Sequence, residues 1–207
     1  MNIGRSVPHS SWILRNLAVR EAEDLARSGM ELGGSPEIRA QCRLDLADSL
    51  FSFGRAADAI EHVAAARREM EVRWFHNRWR AEQRIGVLEA RLHLSAGAPQ
   101  QALDCAEQVA IEAEARDDAR YATIARLLMV RALARLRRPI DGAAVGHDLS
   151  MLPRVAGLEA WWIASDVADD TGSGAARSVA MSAGHALLLE AGSHAETFER
   201  AVAARVS

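Results

Sequence analysis

Apolar residues along this chain recur at the three- and four-residue steps of an α-helix, and nowhere is the period-two alternation of a half-buried strand sustained. Leu14, Leu17, Ala18, Ala22 and Leu25 form one stripe, which predicts a helix over 11–28 that Gly29, Gly33 and Gly34 break. Ser35 before Pro36 is a restart: serine suits the N-cap, and proline at the first helical position loses no hydrogen bond. Ile38, Cys42, Leu46 and Leu50 carry this second helix to Gly54. Further helices are expected over 56–72, 78–96 and 99–115, then from a cap at Asp117 or Asp118 to Arg138. Pro139 is expected to start a weaker helix, its propensity lowered by Gly142 and Gly146, and Pro153 to end it. A helix over 157–170, a loop over 171–174 and helices over 175–191 and 194–206 complete the reading. Ser193 and Glu196 have the spacing of a capping box for the last of these.

The pattern repeats. In LADSLFSFGRAADAIEHVAAARR, residues 46–68, Leu46, Ala47 and Leu50 precede a turn at Gly54, and Ala59, Val63 and Ala66 follow it. A second copy aligns Ala90, Gly97, Ala102, Ala106 and Val109, and a third aligns Ala132, Ala144 and, in the glycine slot, Pro139. A fourth is expected from Gly157, with Trp161 at the large position of its first helix and Gly172 at its turn. Small residues at the crossing of two helices with a glycine between them resemble the tetratricopeptide motif. The turns at 54, 97 and 139 stand 43 and 42 residues apart, longer than the usual period of about 34 residues. One such pair cannot cover its own apolar face, so pairs stack and share a core. The expected fold is therefore all-α, a right-handed solenoid of antiparallel helix pairs. Residues 1–34 read as an N-terminal helix and linker, a possible half repeat; 35–207 read as the repeat domain with C-terminal capping helices.

Composition narrows the function classes. Hydrophobic residues at 49% and charged residues at 26% are proportions of a folding chain. The formal net charge of -3 argues against a protein that coats nucleic acid. Every basic side chain besides histidine is arginine, so the lysine of a phosphate-binding P-loop is ruled out. Cys42 and Cys105 fit neither CxxC nor zinc spacing and read as reduced thiols. No apolar run approaches a membrane span and no leader-like stretch opens the chain, which leads to an expectation of a cytoplasmic protein.

Residues 73–133, from RWFHNRWRAEQRIG to LLMVRAL, are similar to the long-period repeat regions of large actinobacterial regulators, the MalT-like and LuxR-type signal-transduction ATPases. Trp79-Arg80 stands where those repeats open a helix. An Ala-Gly turn, Ala102-Leu103 and Ala106-Glu107 follow in the same order, and GLEAWW and Phe198 match the ending. The likeness covers roughly residues 35–206. It implies a sensor or interaction array of a regulatory system, in transcription or signalling, that binds a protein, a peptide or a small effector and has neither enzymatic activity nor a cofactor. Neither nucleic acid nor membrane binding is implied. The alternative is self-association as a homodimer through an uncapped helical face.

On this template the inward positions are Gln41 and Asp48 in the first pair, Arg84 and Arg91 in the second, and Arg126 and Arg137 in the third. Arg84 and Arg91, seven apart, share a helix face and suit a carboxylate ligand. Trp161 and Trp162 fall on different faces of one helix, so one is expected to pack and the other, taken as Trp162, to line the groove. Trp74, His76 and Trp79 form the densest aromatic and basic stretch and are interface candidates. The seven histidines are scattered without metal-ligand spacing, so no metal is expected. Asp166, Asp169 and Asp170 gather at a helix C-terminus, where the dipole disfavours carboxylates, and no second acidic motif accompanies them.

Overall fold

Alanine and leucine at helical steps, punctuated by glycine, proline and aspartate, produce a chain that is helical throughout its described part. The computed structural model describes residues 20–191, apart from 33, 53 and 73. Residues 11–19 of the first expected helix, the helix expected over 194–206, its Ser193 and Glu196 capping box and Phe198 lie outside the described residues. Among the described residues there is no strand, and no helix is long and apolar enough to cross a membrane.

The helices are α1 (Arg20–Glu31), α2 (Pro36–Ser52), α3 (Ala56–Met70), α4 (Arg78–Ser95), α5 (Pro99–Glu114), α6 (Ala119–Arg135), α7 (Gly142–Ala156), α8 (Ala160–Thr171) and α9 (Gly174–Ala191), with a 3₁₀ turn at Gly157–Glu159. Residue contacts divide the chain within α4, after Ile85. In the first unit α2 packs against both α1 and α3. It is consequently buried round most of its surface, with Ala40, Cys42, Leu44, Asp45, Leu46, Ala47, Ser49 and Leu50 all inside. A helix covered on several sides has no single apolar stripe to read. On α3 the stripe is plain: Ala59, Val63, Ala66 and Met70 are buried and Ile60 faces outward.

In the second unit α6 occupies the central place, packed against α5, α7 and α8. Ala122, Ile124, Ala125, Leu127, Leu128 and Ala132 are all buried there. Gly86 in α4 permits a close approach to α5, because a methyl group at that position would overlap Cγ2 of Val109. Trp161 and Trp162 are both buried, at 8% exposure each, with ring centroids 4.3 Å apart and planes at 67°. The expected division of labour between them does not occur. Trp161 lies on Gly184 of α9, while α6 and α7 pack against α8, so two faces of that helix are covered.

The turns explain where the sequence reading slipped. After α2, Gly54 sits at φ +75, and the Arg55 amide donates to the Leu50 carbonyl at 2.8 Å. After α4, Gly97 sits at φ +71 and the Ala98 amide donates to His93 at 2.9 Å. These are Schellman closures, which need a left-handed residue just past the helix. After α6 the same closure runs from the Arg138 amide to Leu133 at 3.0 Å, and the left-handed residue is Arg137 at φ 54. Pro139 is unable to fill that slot, because its ring fixes φ near −65° and it has no N–H. The helix expected to begin there starts instead at Gly142, where the Asp141 carboxylate accepts from the Ala143 amide at 2.9 Å and the Ala144 amide at 3.3 Å. Nor does Pro153 end it. Pro153 is exposed in the last turn of α7, where one lost hydrogen bond is tolerated, and the helix continues to Ala156.

Arg137 therefore stands in a conformation that glycine adopts without strain. Arg137→Gly is expected to stabilise the protein by about 1 kcal/mol, because the left-handed strain removed exceeds the extra backbone entropy of glycine. Thermal unfolding checks this, and a rise in Tm of about 2–4 °C is the expected outcome.

Candidate functional site

Polar side chains enter this alanine-rich interior mainly as arginine–carboxylate clusters. In the second turn of α4, Arg84 Nη2 lies 2.5 Å from Asp45 Oδ1 and 2.9 Å from Asp48 Oδ2. Asp45 and Asp48 are three apart on α2, one turn of one face. Gln41, a further turn back, directs Nε2 to Asp45 Oδ1 at 3.4 Å. Two of the expected groove residues, Gln41 and Arg84, thus reach Asp45, which is fully buried, and a third, Asp48, shares Arg84 with it. The Arg84 side chain is only 12% exposed. Its charge is committed to this internal cluster. Burial, and then the Asp45 carboxylate, push the neighbouring Cys42 thiol up to about 11, with Arg84 pulling the other way. Cys42 therefore remains a protonated, unreactive thiol at neutral pH.

Arg126 on α6 is likewise engaged within its unit. Nε and Nη2 lie 2.9 and 2.8 Å from Asp148 Oδ1 on α7, and Nη1 lies 2.8 Å from Glu114 Oε1 at the end of α5. The Asp148 hydrogen bonds, more than any other influence, hold its guanidinium above its ordinary basicity. Arg91 is half-buried on α4, while Arg137 lies in the exposed turn after α6, off the helix face assigned to it. Trp162 is in the core, away from any open surface.

The aromatic and basic stretch before α4 is different. Trp74 is 74% exposed and Val72 40%. His76 is exposed, and its backbone amide donates to Glu37 Oε1 at 3.1 Å. Glu37 is held below the usual carboxylate range, first by the Ser35 hydroxyl and then by that amide. The Trp79 ring is half-buried, with the Arg80 guanidinium 5.1 Å from its centroid, and Arg78 stands 5.9 Å from the centre of Phe75. Of the ten expected site residues, Trp74, His76 and Trp79 alone are neighbours along one stretch that is largely open to solvent.

A cluster whose carboxylates, but not their arginine partners, stood out in the sequence joins α6 to α8. Arg131 Nη1 lies 2.8 Å from Asp166 Oδ2, and Arg131 Nε lies 2.7 Å from Asp170 Oδ2. Arg135 Nε lies 2.9 Å from Asp170 Oδ1, and Arg135 Nη1 donates to the Leu94 carbonyl of α4 at 2.6 Å. The carboxylates at the C-terminal end of α8 are thus met by two cations from a neighbouring helix, which outweighs the unfavourable dipole there. Asp169 faces solvent. The signal was a matched step: arginines four apart at 131 and 135, aspartates four apart at 166 and 170. Among the described residues no three histidine, cysteine, aspartate or glutamate side chains are gathered for a metal ion.

Comparison with known proteins adds no relative: no family model, no curated protein and no solved structure matches this chain.

Removing one partner from a buried ion cluster leaves a charge that the interior does not solvate. Arg84→Ala is accordingly expected to destabilise the protein by about 3–5 kcal/mol. Arg80→Ala, which loses only an exposed ring contact, is expected to cost less than about 1 kcal/mol. Denaturant unfolding of the two variants reads the difference.

Proposed function

We propose that this protein is a tetratricopeptide-like, right-handed solenoid that holds a protein, peptide or small effector within a regulatory system, and that it catalyses no reaction. The observation that carries the reading is the recurrence of helix pairs. First helices begin at 36, 78, 119 and 160, and their partners at 56, 99, 142 and 174. The first helices are thus 42, 41 and 41 residues apart. A chain that repeats one hairpin offers extended surface for a partner. The resemblance of residues 73–133 to regulator repeat regions points the same way.

The geometry moves the favoured contact along the chain. Arg84 and Arg126 sit within internal ion clusters, which weakens the idea of an arginine-lined groove for an acidic ligand. The 72–80 stretch, with Trp74 in solvent, is the better surface for a partner, since exposed tryptophans are frequent anchors of binding.

Affinity capture from the native cell tests this. A protein retained by the wild type and lost by Trp74→Ala, with helix content unchanged, is the expected result. A retained set that is identical for both overturns the assignment of the 72–80 surface. The second reading, a homodimer, draws on Leu32, Ile60, Val72 and Trp74, all exposed apolar residues of the first unit. Sedimentation over a concentration series distinguishes it, because a strict monomer excludes it.

A further inference from the structure

His62 lies on α3, seven residues before Glu69, so the two side chains share one face of that helix two turns apart. Glu69 meets α2 through Arg39, with Nη2 at 2.8 Å from Oε2, and more loosely through Arg43, with Nε at 3.4 Å from Oε1. The pairing holds the Glu69 carboxyl below its usual range, with the Arg39 hydrogen bond contributing most. His62 has no such partner at one of its nitrogens: Nδ1 is sealed from water without a hydrogen bond. Burial disfavours the charged imidazole first, then Arg43 of α2, then Arg27 of α1. Glu61 and Asp58 of its own helix oppose this without offsetting it, so the ring is less basic than an ordinary histidine. Asp58 is itself 2.6 Å from Arg55, which absorbs part of its field.

The seam where α1, α2 and α3 meet thus contains a titratable ring that is comfortable only when neutral. α1 packs on α2, and α2 packs on α3. Protonation would place a third cation beside Arg27 and Arg43 and would charge a nitrogen that water does not reach. We propose that His62 is an acid-sensitive latch for the first unit: neutral, it lets α1 and α3 close on α2, and protonated, it drives that seam open.

The sign follows from proton linkage. The closed seam binds the proton less readily than the open or unfolded chain. Closure is therefore favoured fully above the ordinary imidazole range, near pH 6.5, and is lost as pH falls through and below it. Opening starts at α1, where Ala26 and Gly29 are buried among the residues whose burial is described, whereas the interior of the second unit contains no part of this device.

Hydrogen exchange measured as protection factors, which removes the intrinsic pH dependence of the amides, tests the latch in the full chain. Between about pH 7.5 and about pH 5, protection in α1 and α3 is expected to fall several-fold, while that of α6 is unchanged. In His62→Gln, which carries no proton over that range, the pH dependence of α1 and α3 is expected to disappear. Equal protection at both pH values in the wild type, or an undiminished fall in the variant, overturns the proposal. A titration of the wild-type imidazole resonances keeps it falsifiable if the variant does not fold. The His62 midpoint is expected below the ordinary imidazole range near pH 6.5, and a midpoint at or above that range overturns the latch.

Discussion

Everything in this molecule rests on helices approaching one another through alanine. Ala40, Ala47, Ala59, Ala66, Ala90, Ala102, Ala106, Ala113, Ala125, Ala132, Ala160 and Ala164 are each at most 1% exposed, and they occur on six of the helices. A methyl group is the largest side chain that fits where two helices cross closely, and Gly86 takes the same logic one step further against Val109. Close approach brings backbone near backbone and raises packing density, so larger residues such as Leu44, Leu50, Leu127 and Leu152 fill the spaces beside each crossing.

Alanine faces have a weakness that the charged clusters offset. One alanine-lined face fits another almost equally well after a slip of one turn, since small side chains form shallow ridges. The arginine–carboxylate clusters do not tolerate such a slip. Asp45 and Asp48 receive Arg84, Asp148 receives Arg126, and Asp166 and Asp170 receive Arg131 and Arg135, each with its heavy atoms within 3 Å. A displacement of one turn would leave several buried charges without their partners, at a cost well above that of a shifted methyl contact. Alanine supplies proximity, and the ion pairs supply register.

That division bears on binding. Arginines on helices suggest an anionic ligand when only the sequence is in view, yet Arg84 and Arg126 serve the helices themselves. The partner surface proposed above lies instead in the connection between α3 and α4, where Trp74 is exposed. The buried ion clusters hold the helices together, while the connection before α4 leaves Trp74 in solvent.

The sequence by itself determined the helical class, the order of helices and most of their ends, because apolar spacing, Gly54, Gly97, the Asp118 cap and Pro36 act within a few residues along the chain. It misread the turn after α6, because a left-handed arginine leaves no compositional mark and Pro139 stood close enough to be mistaken for the punctuation. It misjudged Trp162, because burial of two adjacent rings depends on α8 being covered on two faces by helices distant in sequence. It passed over Asp45, and it showed Asp166 and Asp170 without Arg131 and Arg135, for a similar reason. A lone charge on a helix looks like solvent-facing surface until its partner, some 35–40 residues away, is brought beside it. Local spacing fixes which segments become helices, whereas only tertiary packing decides which charged faces meet.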